Sequence, residues 1–200
     1  QFMKGEQEKS KKSIKSYEDF KLQNSHFTMS KDDKIFCEGY FNFLKNHLEN
    51  CKCKEKRIFN KIFHLGDSHC LSYANSFLNI KGQTYKIIPR ITFGVKAYHF
   101  SNSEYNQYKA ITEHNINSIP NGSNVFISVG EIDCRHDEGF NHASKKLSVD
   151  IHDLIVKTIR GYINWVLEAN KNKKHNLYFF NVPAPLFQNN LSFSENKKVA

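Results

Sequence analysis

Short apolar segments alternate with longer amphipathic segments along most of this chain, and this alternation constrains the fold more than any other feature. Four segments rich in Ile, Val, Leu and Phe are predicted as strands, at residues 62–65, 85–88, 124–129 and 177–181. Helices are predicted between them, at about 68–78, 103–116 and 147–169. Strands separated by helices of this length form βαβ units, so we expect an α/β fold with a parallel sheet and helices on both faces.

The chain before residue 58 has a different character. Residues 1–30 are polar, Lys-rich and without apolar periodicity, and they are predicted to be a tail or linker. Residues 31–57 are predicted to form an amphipathic helix over 31–50, with Ser30 at its N-terminus, followed by a charged connector. This helix is also compatible with the last helix of an upstream helical region. The α/β domain is then expected to occupy residues 58–200.

The chain carries a formal net charge of +9, which raises the question of nucleic-acid binding. Its lysines cluster at residues 9–15, 52–57 and 171–174, all in predicted tails and loops. Nucleic-acid-binding surfaces usually combine such charge with stacking aromatic side chains or with a recognisable motif, and neither accompanies these clusters. We therefore expect them to be solvated surface, and we predict no nucleic-acid partner.

The five cysteines indicate neither a disulfide framework nor a metal site. Cys51 and Cys53, with Cys37 nearby, do not match the paired spacing of structural zinc sites, so no metal and no organic cofactor is predicted. The sequence has no secretory signal and no apolar run of membrane-spanning length. These features favour a reduced, cytoplasmic protein with no membrane partner.

The loop after the first predicted strand contains a serine that is well placed for nucleophilic catalysis. Residues 66–69 have the sequence Gly-Asp-Ser-His. The glycine permits a tight turn from strand to helix, which places Ser68 at the start of the next helix. Backbone N–H groups there lack intrahelical partners and favour a developing oxyanion. Gly-Asp-Ser is also a common turn and N-cap sequence, so a purely structural role is the alternative.

The loop after the third predicted strand concentrates reactive and charged residues. Residues 130–136 have the sequence Gly-Glu-Ile-Asp-Cys-Arg-His. Charged side chains directly after a buried strand need partners or a function, because their burial without either is unfavourable. A polar surface turn is the alternative interpretation. A cysteine nucleophile is disfavoured, because Cys70 is predicted to face away from the serine within the first helical turn.

Taken together, these loops resemble the first three sequence blocks of the SGNH (GDSL-like) hydrolases. Ser68 matches the serine nucleophile of that family, Gly94 the glycine of the second block, and Gly130 and Asp133 the third block. The string Gly-Glu-Ile-Asp-Cys-Arg is similar to a GDSL-like subgroup of poorly defined substrate. The resemblance implies a flavodoxin-like three-layer sheet and a serine esterase, with the N–H groups of Ser68 and Gly94 as oxyanion donors.

The third block departs from the family pattern at one position. The family has an Asn immediately before the Asp, whereas this chain has Ile132, which cannot donate a hydrogen bond from its side chain. Arg135 is the candidate for a replacement donor. Loss of one oxyanion donor lowers the rate by about 10²–10³-fold in other enzymes. Glu131 and His69 complete the set of candidate substrate-binding residues.

The second departure concerns the catalytic base. In the family, the base is the His of an Asp-x-x-His block that follows a fifth parallel strand, and this chain has no such block after His175. We therefore expect the α/β domain to lack its last strand through C-terminal truncation, with the base beyond Ala200. His136 follows Asp133 at the right spacing but in a different loop, and it is retained as a candidate local base.

The function expected from these residues is ester hydrolysis or acyl transfer, plausibly on an O-acylated carbohydrate or another small ester. Ser68 attacks the acyl carbonyl, while Asp67 orients the turn and Asp133 bridges loops at the site. The alternative is a catalytically degenerate module that keeps the hydrolase fold and only binds a ligand. Ile132 and the missing base favour this alternative.

Overall fold

The computed structural model describes residues 6–24, 30–50 and 59–181. Within these ranges the strands are β1 (Asn60–Gly66), β2 (Phe77–Ile80), β3 (Gln83–Ile91), β4 (Asn124–Ser128) and β5 (Asn176–Phe179). The α-helices are α1 (Gln7–Gln23), α2 (Lys31–Asn50), α3 (Ala97–Ser101), α4 (Gln107–Ser118), α5 (Phe140–Leu147) and α6 (Ile151–Ala169). Two 3₁₀ helices, Ser68–Tyr73 and Ile132–Cys134, follow β1 and β4.

The five described strands form one mostly parallel sheet in the order β2–β3–β1–β4–β5. Strands β3, β1, β4 and β5 are parallel to one another, and β2 pairs with β3 in the antiparallel direction. The four parallel strands correspond to the four predicted ones. Their spatial order is second, first, third, fourth, which is the order of the first four strands of a flavodoxin-like sheet. The prediction of an α/β fold with a parallel sheet is confirmed.

The predicted helix over 68–78 is wrong in its second half. A short 3₁₀ helix ends at Tyr73, and the chain then forms β2 and returns through a tight hairpin into β3. Lys81 and Gly82 at the hairpin both have positive φ, as a two-residue type I′ turn requires. The strand was missed because its four residues are too few to display a regular alternation.

One face of the sheet carries the main hydrophobic core. Phe63 and Leu65 of β1 and Val125 and Ile127 of β4 point to this face, because alternate residues of a strand share a face. The helices after β3 and β4 supply the other side of the core with Ala97, Phe100, Ile116, Tyr162 and Val166. Each large side chain buried here stabilises the fold by about 1.5–3 kcal/mol.

The opposite face is covered near β3 by a second, smaller cluster. Leu71 and Ala74, from the 3₁₀ helix and the turn that follows it, pack with Leu48 of α2 and with Ile91 of β3. Ile14 of α1 packs against the same cluster. Helices therefore lie on both sides of the sheet, in a three-layer α/β arrangement.

Helix α1 lies within the segment that was predicted to be a polar tail. It pairs with α2 through the ion pairs Lys45–Glu18, at 2.7 Å, and Lys21–Glu38, at 3.1 Å. Most of its residues are exposed, which explains why the sequence lacks a strong apolar period here. The charged connector predicted over 51–57 lies outside the described residues, whereas the predicted helix over 31–50 is confirmed.

The other two predicted helices differ from the observed ones mainly at their ends. The helix predicted over 147–169 begins at Ile151, because Asp150 caps it through the backbone N–H of Asp153. Ser148, which has a φ of 53°, separates it from α5. The helix predicted over 103–116 is α4, with Asn106 as its N-cap, and the short α3 precedes it.

Candidate active site

The three loops with the candidate residues leave the sheet at the same edge. Gly66, the last residue of β1, lies in register with Ile91 of β3 and with Ser128 of β4. The backbone continues this pairing into the loops: Thr92 N–H donates to the carbonyl of Gly66, and Asp67 N–H donates to the carbonyl of Ser128. The carboxyl edge of the sheet therefore brings the three predicted blocks together, as expected for a parallel α/β sheet.

The approach of β1 to β4 is close enough to require glycine at position 66. A Cβ atom placed there would collide with the carbonyl oxygen and the hydroxyl of Ser128. The glycine of the Gly-Asp-Ser motif thus serves sheet packing as well as the turn. The same contact fixes the point at which the chain leaves the sheet toward Ser68.

Asp67 organises the turn before the serine. Its side chain is almost fully buried, and its Oδ1 accepts hydrogen bonds from the backbone N–H of His69, at 2.9 Å, and from His69 Nδ1, at 3.0 Å. It is therefore the N-cap of the 3₁₀ helix that begins at Ser68. The carboxylate of Asp67 thus holds the turn between β1 and this helix. The same contact holds the His69 ring, whose side chain is 42% exposed.

Ser68 is the first residue of the 3₁₀ helix and is partly exposed. Its backbone N–H lies in the first turn, where such groups have no intrahelical partner. Among the described residues, no side chain is hydrogen bonded to its hydroxyl. Ser68 therefore lies at an accessible position at the start of this helix.

An open cavity of about 370 Å³ lies directly beside Ser68. It is bounded on one side by Ser68, His69, Leu71 and Ser72 of the 3₁₀ helix, and on the other by Gly39, Tyr40 and Phe43 of α2. The volume is within the usual range of small-molecule sites, roughly 300–1,000 Å³. The contribution of α2 was not predicted, because nothing in the local sequence relates it to a loop some 30 residues further along the chain.

Asp133 holds the backbone of a neighbouring helix. Its Oδ2 accepts from the N–H of Ala97, at 2.6 Å, and its Oδ1 accepts from the N–H of Tyr98, at 3.2 Å. These are first-turn N–H groups of α3, so the buried carboxylate caps this helix from another loop. Burial raises the pKa of Asp133, and the two backbone N–H bonds and the charge of Lys96 oppose that rise. Asp133 thus links the loop after β4 to the start of α3.

Arg135 does not point a free guanidinium at the serine. Its Nε and Nη2 bind the carboxylate of Glu131, and its Nη1 donates to Glu138 at 2.7 Å. The hydrogen bonds to Glu131 raise the pKa of Arg135. Because the side chain is occupied by two carboxylates, the structure gives no support to Arg135 as the replacement oxyanion donor. Glu131 thus holds the Arg135 side chain in place.

His136 does not form a dyad with Asp133. Its Nδ1 donates to Asp137 at 2.7 Å, whereas the Asp133 carboxylate is bound to α3. Within the described part of the chain, His136 has no hydrogen bond to Ser68. The Asp-x-x-His spacing of this loop therefore does not produce the geometry of a local base.

The glycines of the second and third blocks both have positive φ angles, which favour glycine. Gly94 has a φ of 68° and is exposed, and Gly130 has a φ of 129° and is buried. Both lie in loops that leave the carboxyl edge of the sheet. Ile132, which stands where the family has Asn, begins the short 3₁₀ helix Ile132–Cys134 and is partly buried.

His64, expected from its strand position to be a hydrogen-bonded core residue, forms a buried polar pair with Ser128 next to the site. His64 Nε2 lies 2.8 Å from Ser128 Oγ, and the His64 side chain is surrounded by the rings of Tyr73, Phe126 and Phe180. Burial lowers the pKa of His64 to about 4, so the imidazole is neutral at physiological pH. Because the two residues lie 64 positions apart, only the parallel register of β1 and β4 reveals the pair.

The cysteines near the site are poor nucleophiles. Burial raises the pKa of Cys70 to about 12 and also raises that of Cys134, which keeps both as thiols. No cluster of metal-ligating side chains occurs among residues 6–24, 30–50 and 59–181. Cys51 and Cys53, considered above as zinc ligands, lie outside those ranges.

No family model matches this chain, and neither the curated proteins nor the solved structures contain a match to it. In the described ranges, no helix has both the length and the apolar character needed to cross a membrane.

Proposed function

We propose that this chain is a serine ester hydrolase of the SGNH type, with Ser68 as the nucleophile. One observation carries the proposal: Ser68 begins a 3₁₀ helix at the carboxyl edge of a parallel sheet, and it lines a cavity of ligand size. The motif resemblance supports it, because the three matching loops leave the sheet at one edge. The proposed substrate is a small ester, such as an O-acyl group on a carbohydrate.

In the proposed reaction, Ser68 Oγ forms a bond to the acyl carbon and its proton passes to a base. The N–H groups of Ser68 and Gly94 stabilise the oxyanion, and the leaving alcohol takes the proton from the base. Water then cleaves the acyl-enzyme and regenerates the hydroxyl. In the family this base is the His of an Asp-x-x-His block, and no such block follows His175 in this sequence. A catalytic role for Asp133 and His136 is not proposed.

Labelling with a fluorophosphonate tests this proposal directly, since such a reagent reacts with an activated serine. The full chain, expressed from the complete gene, should be labelled at one site, identified by peptide mass spectrometry as Ser68. Ser68→Ala should abolish the label. Ser76→Ala is the matched control, because Ser76 follows the same 3₁₀ helix and is not among the cavity-lining residues. Labelling that survives in Ser68→Ala would contradict the assignment.

A second candidate is a binding module that has lost catalysis. Ile132 in place of Asn favours it, as does the engagement of Arg135 by Glu131 and Glu138, because both reduce the available oxyanion donors. Fluorophosphonate labelling of Ser68 distinguishes the two candidates. A chain that is folded, binds a small ester and remains unlabelled at Ser68 fits the binding module.

A further inference from the structure

We propose that the cavity between α2 and the 3₁₀ helix binds the acyl part of the ester, so that the preferred substrate carries a medium-length or aryl acyl group and not an acetyl group. This inference rests on the proposed function, because it assigns a ligand group to the cavity lined by Ser68. It adds a specificity element, helix α2, that lies outside the sheet domain. Three properties of the cavity support it: its position, its chemistry and its size.

The position of the cavity matches the acyl side of the ester. In attack by Ser68, the acyl carbonyl lies against the serine hydroxyl, and we assign the acyl chain, which is bonded to the same carbon, to the space that adjoins that side chain. Ser68 itself lines the cavity, and Leu71 and Ser72 continue its wall along the same 3₁₀ helix. The far side of the space is bounded by α2. An acyl chain that leaves Ser68 in this direction is therefore flanked by two helices, with the cavity open to solvent between them.

The chemistry of the cavity favours an apolar group. Its walls are formed largely by the side chains of Tyr40, Phe43 and Leu71, and the described lining residues include no Lys, Arg, Asp or Glu. A charged or heavily hydroxylated moiety would lose its hydration here without receiving matching partners. An alkyl or aryl chain instead gains from removal of apolar surface from water. The polar side chains of Ser68, His69 and Ser72 all belong to the 3₁₀ helix.

The size of the cavity exceeds what an acetyl group needs. Its volume of about 370 Å³ corresponds to roughly a dozen water-sized volumes of about 30 Å³ each. An acetyl group would leave most of this space filled with water next to aromatic rings. Each additional buried methylene is worth about fourfold in binding. We therefore expect kcat/KM to rise from acetyl to hexanoyl esters of the same alcohol.

Gly39 provides a way to fill the cavity from α2. It lines the cavity, and a Cβ atom at this position would meet no atom within 4 Å. Gly39→Phe should place a ring in the space that the acyl chain occupies. Asn42→Phe is the matched control, because it adds the same side chain to the same helix at an exposed position outside the cavity lining.

The experiment measures hydrolysis of p-nitrophenyl acetate, butyrate and hexanoate by the full chain and the two variants. We expect a hexanoate-to-acetate ratio of kcat/KM of at least ten in the unmodified chain. Gly39→Phe should lower this ratio at least tenfold, whereas Asn42→Phe should leave the ratio unchanged. A flat chain-length profile, or an unchanged ratio in Gly39→Phe, overturns the inference.

Labelling at Ser68 by a short-chain fluorophosphonate separates the possible failures. If Ser68 is labelled in the unmodified chain but the profile is flat, the acyl-cavity inference fails and the proposed function stands. If Ser68 is neither labelled nor needed for hydrolysis, both fail. Retained short-chain labelling in Gly39→Phe also establishes that this variant is folded, so a lost preference for hexanoate reports the cavity itself.

Discussion

Asp67 and Asp133 occupy the acidic positions of the two loop motifs, and both are engaged with backbone N–H groups. Asp67 caps the helix that presents Ser68, and Asp133 caps α3 from a different loop. Carboxylates that accept such bonds when buried fix the path of the chain, since their N–H partners would otherwise lack acceptors. Asp67 therefore holds the turn before Ser68, whereas Asp133 holds α3 against the loop after β4.

Buried His64 makes the stability of the protein dependent on pH. Its pKa is about 4 in the folded protein because of burial, against about 6.5 when unfolded. The unfolded chain therefore binds more protons between these values, and stability is lost as the pH falls from about 6.5 toward 4. Between pH 7 and pH 5 this residue alone should lower the free energy of unfolding by about 2 kcal/mol.

His64→Gln tests this, because glutamine keeps a polar group near Ser128 without titrating in this range. In urea unfolding, the free energy of unfolding falls between pH 7 and pH 5 in both proteins. For His64→Gln this fall should be about 2 kcal/mol smaller than for the unmodified chain. Part of the dependence should persist, because burial also lowers the pKa of His47, His99 and His175. An identical pH dependence in both proteins would exclude His64 as its source.

At the scale of secondary structure, the sequence predicted the four parallel strands because each contains a short apolar run between helical segments, most completely buried in β1. It did not predict β2, whose residues lie at the edge of the sheet and remain partly or fully exposed. Nor did it predict α1, which is stabilised by its contacts with α2 more than by an apolar stripe of its own. Elements that are stabilised mainly by tertiary contacts were therefore not predicted from the local sequence pattern.

The same limit applies to the candidate site. The position of Ser68 after β1 was predictable, because a Gly-Asp-Ser turn after an apolar strand leaves few alternatives. The ion pairs of Arg135 with Glu131 and Glu138 could not be predicted, because all three charged residues lie in one loop and several pairings were possible. The cavity wall formed by Tyr40 and Phe43 depends on how α2 packs, which no local motif encodes.

The packing of α3 against α6 depends on a glycine in the middle of α6. A Cβ atom at Gly161 would lie 2.7 Å from both Cα and Cβ of Ser101. Gly161→Ala should therefore destabilise the protein by about 1–3 kcal/mol, although alanine is the better helix former.

Gly39→Ala is the matched control, because its Cβ meets nothing within 4 Å, and it should stabilise α2 by about 0.5–1 kcal/mol. Urea unfolding of both variants measures the two effects. A Gly161→Ala variant that is as stable as Gly39→Ala would show that α3 and α6 are not held at this distance.

At the scale of the whole molecule, the two faces of the sheet are stabilised to different extents. The face covered by α3, α4 and α6 contains the larger hydrophobic cluster, whereas the face covered by α1 and α2 contains a smaller one. Local opening requires less free energy where fewer apolar contacts are lost. We therefore expect the layer that contains the cavity beside Ser68 to open more readily than the sheet.

Hydrogen exchange followed by mass spectrometry should resolve this difference. Peptides from β1 and β4 should exchange only on global unfolding, because both strands are paired on two sides. Peptides from α1 should be protected at least tenfold less, with α2 between the two groups. If the cavity binds an acyl group, a short-chain fluorophosphonate bound at Ser68 should leave the exchange of α2 nearly unchanged, while a hexyl-bearing one should slow it. Protection of α1 equal to that of β1 would mean that the α1–α2 layer and the sheet unfold as one unit. In that case α2 would be a fixed wall of the cavity, and the preference for acyl length would follow from its shape alone.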